Sequence, residues 1–172
     1  MRLLGAAVVA VTLLQINLPG IDLRTQREVQ AQVEIRAPAA LVWSVLTEFR
    51  SYDIWNPYMY PVTGDLRPGQ VLEVTLHTGG DVVKYTPTVL GVEPRRGFSW
   101  GGRVPGGVIE RLHAFTLEEL QPTLVRVNAR ERFQGFALPL YGNAPDEARR
   151  GLEAMTRALR DRAELLTLVP KR

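Results

Sequence analysis

The 172-residue chain has no cysteine. That absence removes disulfide cross-links, thiolate metal sites, iron–sulfur clusters and a cysteine nucleophile. Histidine is scarce too: there are 2, His77 and His113, and neither sits in an HExxH or comparable metal-binding spacing. No metal and no cofactor are expected. No Ser–His–Asp set is discernible: the GxSxG spacing of Gly97-Phe98-Ser99-Trp100-Gly101 falls inside a strand-like segment and opens no helix. Glycines do cluster in Gly101-Gly102-Arg103-Val104-Pro105-Gly106-Gly107. That run lies between strand-like segments instead of opening a helix, and it lacks the Lys-Ser/Thr of a phosphate cradle. It reads as a loop, with Arg103 free to meet a polar ligand group. A strong charge of one sign is missing as well. The net charge is +3, and the basic residues of the last quarter (Arg149, Arg150, Arg157, Arg160, Arg162, Lys171, Arg172) are interleaved with Glu147, Glu153, Asp161 and Glu164. Such mixing describes a solvated helix face, and with no aromatic-rich basic stripe no nucleic-acid partner is expected.

What is present is ordinary globular material: 45% hydrophobic and 23% charged residues, in a length that suits one domain with a full core. The exception is the start. Residues 1–18 place Arg2 before an apolar run interrupted by Thr12, Gln15 and Asn17, and Leu18-Pro19-Gly20 ends it. Three readings stand: an uncleaved membrane anchor, a cleaved secretory signal, or an apolar helix packed on the protein itself. The anchor is the leading one, so membrane association through residues 1–18 is expected. This divides the chain into a segment and linker (1–27) and a domain (28–172).

Within the domain, Glu28 to Ile35 alternates Val29, Ala31, Val33 and Ile35 with polar residues, the pattern of a half-buried strand. Ala37-Pro38 breaks it. Leu41, Val42, Val45, Leu46 and Phe49 then recur at helical spacing, and a second helical turn covers Tyr52 to Trp55. Strands follow over Val71–His77, Val82–Val92, Phe98–Gly102, Val108–Leu120 and Leu124–Gln134, separated by Gly- and Pro-bearing turns. A helix from about Pro145 to Leu168 carries one apolar stripe, Ala148, Leu152, Met155, Leu159, Ala163 and Leu166. Unbroken antiparallel strands flanked by helices make an α+β fold, in which a sheet of about seven strands curls around the long helix and leaves room for a cavity.

If the turn between the last two strands centres on Pro122, then Leu117 faces Val127, Phe115 faces Ala129, and His113 faces Glu131. His113 and Glu131 become the polar members of an inward, otherwise apolar row. A carboxylate beside an imidazole favours the protonated ring, so the two are candidates for an acid/base pair. A structural hydrogen bond that satisfies two buried polar groups, or a pair that only orients a ligand, is the leading alternative. Phe98 and Trp100 share a strand face and offer flat apolar walls. His77, at a strand end beside Thr78-Gly79-Gly80, reads as a solvated edge residue.

The stretch VEIRAPAALVWSVLTEF (33–49), the pair of segments YDIWNP (52–57) and HAFTL (113–117), and ERFQG (131–135) resemble the START / polyketide cyclase/dehydrase superfamily, or SRPBCC proteins, over about residues 28–169. The resemblance implies a helix-grip fold with an internal cavity for a small hydrophobic molecule, lipid-like or aromatic and polyketide-like, bound without catalysis. An aromatase/cyclase or dehydratase using His113 and Glu131 is the alternative it implies. It also implies that Trp55, with Asn56, walls or gates the pocket, although anchoring of the small helices serves Trp55 equally well. Ligand-binding candidates are therefore Trp55, Asn56, Phe98, Trp100, Arg103, His113, Phe115, Glu131 and Phe133.

Overall fold

The computed structural model describes residues 25–104 and 106–168. The readings of residues 1–18, and of Lys171 and Arg172, lie outside the described residues. Strand β1 (Gln26–Ile35) buries Val29, Ala31 and Ile35, as its alternation requires. Helix α1 (Ala39–Thr47) follows, with Pro38 as its extended N-cap; it buries Ala39, Val42, Val45 and Leu46. A 3₁₀ turn (Phe49–Ser51) and the short helix α2 (Tyr52–Trp55) complete the first helical layer. Then come β2 (Met59–Thr63), β3 (Glu73–Thr78), β4 (Asp81–Tyr85), β5 (Thr88–Glu93), β6 (Gly97–Arg103), β7 (Glu110–Gln121) and β8 (Leu124–Gln134). A second 3₁₀ turn (Leu138–Tyr141) leads into α3 (Ala144–Thr167).

All strand pairings are antiparallel, in two ordered groups: β1-β8-β7-β6-β5 and β2-β3-β4. The expected single strand Val82–Val92 is two strands, because Thr86-Pro87 interrupts it. Proline has no N–H to donate to a ladder. The groups stay joined through that break: Leu72 N–H donates to the Pro87 carbonyl at 2.9 Å, Val89 N–H donates to the Gln70 carbonyl at 2.8 Å, and Val71 bridges Thr88. Val71 thus pairs only in an isolated bridge. β1 starts at Gln26, ahead of the expected Glu28, because β8 runs far enough to pair Gln26 with Gln134.

Helix α3 lies across β1, β3, β8 and α1. Its stripe is the expected one: Ala148, Leu152, Met155, Leu159 and Ala163 are buried, and Leu166 packs at the margin of the core. Gly151 has a reason to interrupt this helix, where glycine costs about 1 kcal/mol relative to alanine. A Cβ there would run into the ring of Tyr58, so the bare backbone is what lets that ring lie against the helix. The sheet thus curls around one long helix, with a core of aliphatic and aromatic side chains between them.

Candidate ligand-binding site

β7 and β8 pair His113 with Glu131, Phe115 with Ala129 and Leu117 with Val127, as expected, although the turn itself pairs Gln121 with Leu124 and a bulge between Glu119 and Gln121 restores that register. The same face continues with Arg111 opposite Phe133. Side-chain alternation therefore delivers three polar residues, Arg111, His113 and Glu131, to the inside of the curved sheet, at 4%, 0% and 0% exposure.

Burial at that depth demands partners. Arg111 Nε–H donates to Glu131 Oε1 in a close ion pair. Its terminal amino group donates to the Tyr58 hydroxyl at 2.5 Å, and that hydroxyl donates in turn to Glu131 Oε2 at 2.8 Å. The guanidinium also sits 4.9 Å above the centre of the Phe133 ring, a cation–π contact. The triangle of Arg111, Glu131 and Tyr58 is thus closed. Burial pushes the Tyr58 hydroxyl up to about 12, against the opposing pull of Arg111, so the phenol keeps the proton it donates.

His113 is left outside this triangle. Its Nε2 lies 3.4 Å from Glu131 Oε1 but lacks the alignment of a hydrogen bond, and Nδ1 has no partner among the described residues. Desolvation, and secondarily the positive charge of Arg111, hold its pKa well below the ordinary 6.5. This corrects the expectation of a protonated ring beside a carboxylate. The Glu131 charge is taken up by Arg111, a cation placed on the same strand face two residues before the histidine, and the imidazole stays neutral.

A pH dependence follows. With a folded pKa below the unfolded value near 6.5, His113 adds nothing above that pH. As pH falls through it, the unfolded chain gains a proton that the folded chain does not, and stability is lost. Urea midpoints should therefore fall more steeply between pH 7 and pH 5 for the parent than for His113→Phe. Parallel slopes would show that the buried imidazole titrates normally.

Around the polar residues is an aromatic layer. Trp100 is fully buried and lies 5.3 Å from Phe98, 5.7 Å from Phe115 and 5.8 Å from His113, centre to centre. Its indole N–H donates to the Tyr85 hydroxyl at 3.2 Å. Phe98, Trp100 and Phe115 thus pack on one another instead of facing across a gap. Tyr85 links this layer to the outside, because it also borders a cleft of about 540 Å³ lined further by Thr63, Thr75, Lys84 and Arg103. Arg103 borders that cleft; in the β6–β7 register it faces Glu110, so it falls on the strand face opposite to that of Arg111.

The remaining candidates sit apart. Trp55 is half-buried against Tyr52, with ring centres 5.0 Å apart. Asn56 is buried and accepts the backbone N–H groups of Tyr58 and Met59 at 2.9 and 3.0 Å; its carboxamide shapes the turn that presents Tyr58. His77 is corrected: it is half-buried, stacked on Tyr60 at 4.0 Å, with Nε2 2.8 Å from the Tyr60 carbonyl oxygen. Sequence reasoning missed Arg111, Tyr58 and Tyr85. Arg111 was within reach, since it shares the odd-numbered face of β7 with His113. Tyr58, in the turn before β2, and Tyr85, at the end of β4, come from distant parts of the sequence, and no local pattern signals them.

A curved antiparallel sheet gripping a C-terminal helix, with a polar cluster sunk in an aromatic interior, defines a START-type helix-grip protein. Residues 26–166 match the family described as polyketide cyclase / dehydrase and lipid transport, and the chain belongs to that family. No curated protein sequence matches it. Among solved structures, a START superfamily protein from Mycobacterium smegmatis is similar at 21% identity and TM-score 0.63, covering 81% of this chain and 98% of its own. The ZhuI aromatase/cyclase from Streptomyces sp. R1128 matches at 22% identity and TM-score 0.60, covering 83% and 96%. Major latex-like protein 151 from Panax ginseng matches at 9% identity and TM-score 0.65, covering 81% and 99%. At these identities the likeness is one of fold.

Proposed function

We propose that this protein binds and carries a small hydrophobic molecule with one polar end, without transforming it. The observation that carries the reading is His113. It is a neutral imidazole at full burial, beside a satisfied ion pair, with neither ring nitrogen in a hydrogen bond to any described residue. Burying such a group without partners is costly, and a ligand hydroxyl or carbonyl would supply one. Tyr85 lies where the interior meets the cleft, and that cleft of about 540 Å³ gives an apolar body room beside the buried cluster. The family to which the chain belongs includes lipid transport in its description. Native mass spectrometry of gently purified protein should show a retained lipid or aromatic compound, lost on His113→Phe. Protein that is empty under every mild preparation, and takes up no apolar probe, would overturn the reading.

A second reading has its own support. A neutral imidazole is a base, and it lies 3.4 Å from a carboxylate, so His113 and Glu131 would serve a cyclase or dehydratase in which positioning supplies most of the rate. Against it, both Glu131 oxygens are engaged by Arg111 and Tyr58, so the carboxylate is not free to relay a proton. Turnover of a polyketide-like substrate that is abolished by His113→Ala would favour this reading over carriage.

We also propose that residues 1–18 hold the protein at a membrane. Fractionating cells that express the chain with and without these residues tests this, and an unchanged soluble distribution would remove the anchor.

A further inference from the structure

Two large apolar side chains stand out of the short link between β8 and α3: Phe136 is 79% exposed and Leu140 86%. Their neighbours Ala137 and Leu138 are buried at 6% and 5%. The link is therefore a fixed amphipathic turn, pinned from inside, with hydrogen bonds from Leu138 N–H to the Gly135 carbonyl and from Leu140 N–H to the Ala137 carbonyl. Gly135 sets its direction. A Cβ at that position would meet the Val108 carbonyl oxygen, and its φ of +154° also suits glycine.

The turn is also where the N-terminal chain enters the domain. Gly135 N–H donates to the Thr25 carbonyl at 2.8 Å, so the residue after this hydrogen bond is Phe136 itself. From Leu18 to Thr25 the chain spans at most about 25 Å when fully extended. Any surface that holds residues 1–18 is therefore held close to Phe136 and Leu140. The stretch from Leu3 to Val11 has no polar side chain, so it needs apolar cover on every side. Two side chains of this domain can shield only part of it, whereas lipid shields all of it.

We propose that the turn carrying Phe136 and Leu140 is a second, lipid-contacting surface that seats the domain on the membrane entered by residues 1–18. It rests on the anchor reading and adds to it an orientation: the β8–α3 end faces the lipid, and the β5 edge, at the opposite side of the five-stranded sheet from β1, faces water. Two apolar side chains at the interface also resist rotation about a single tether.

The absence of native cysteine makes the test direct. Phe136→Cys, Leu140→Cys and, as a water-facing control on β5, Leu90→Cys (53% exposed) are each labelled with a nitrobenzoxadiazole probe on the full chain. Each is mixed with phosphatidylcholine vesicles, with and without phosphatidylglycerol. The expected result is flotation of all three with vesicles, a blue shift and loss of iodide quenching at positions 136 and 140, and no change at position 90. Flotation with all three probes still open to iodide would overturn the docking surface while leaving the anchor in place. No flotation would overturn both. Probes at 136 and 140 already shielded before lipid is added would show that the chain itself, or a second copy, covers the turn, and would overturn the proposal.

Discussion

Glu131→Gln is expected to lower the unfolding free energy by about 3–5 kcal/mol, because it leaves the guanidinium of Arg111 buried without a counter-charge. For a domain of this size that is a fall of about 10 °C in melting temperature. The loss is not the net worth of the ion pair, since burying two charges is itself costly. Removing the whole cluster should therefore be milder than breaking it. The triple variant Tyr58→Phe, Arg111→Met, Glu131→Leu should lie within about 2 kcal/mol of the parent. Calorimetry on the three proteins decides. If Glu131→Gln melts with the parent, the Arg111 charge is compensated elsewhere and the closed triangle is not what stabilises the interior.

Trp100→Ala should be comparably damaging, at about 3–5 kcal/mol. The indole is fully buried and in ring contact with Phe49, Phe98, Phe115 and His113, so its removal leaves a void that several rigid rings cannot fill. Trp100→Phe separates packing from hydrogen bonding. It keeps most of the aromatic volume but loses the N–H donated to Tyr85, and should cost only about 1–2 kcal/mol. Urea unfolding at a constant m-value measures both. Near-equal losses would mean that the hydrogen bond to Tyr85 matters more than the packed ring.

The two halves of this cluster were unequally legible. The β7–β8 register needed more than its turn: the two-residue turn pairs Gln121 with Leu124, and a bulge between Glu119 and Gln121 shifts the ladder by one, to the register that sorts every side chain to its face. A turn centred on Pro122 gives the same pairing of His113 with Glu131, so the reading reached the right partners although the bulge, not the turn, sets them. It also put Arg111 on the same face, but a strand-start arginine is usually solvated, and nothing local says that this one is covered. Proline gave a plainer lesson. Pro87 lay in view inside an apolar run and still divided β4 from β5, because a missing donor outweighs strand propensity.

Local periodicity thus determined the element order, the stripe of α3 and the strand faces that carry His113 and Glu131. These depend on neighbours a few residues apart, and the alternation of a strand or the pitch of a helix expresses them directly. Tertiary structure alone decided the chemistry of that meeting. Tyr58 reaches Glu131 across 73 positions of sequence, Gly151 clears the space for its ring, and Arg111 claims the carboxylate. Ionisation depends on depth of burial and on the nearest charge. Both are properties of the packed interior, and so a pair in which the neighbouring carboxylate would favour a protonated imidazole is, in the folded protein, a neutral histidine beside a closed ion pair.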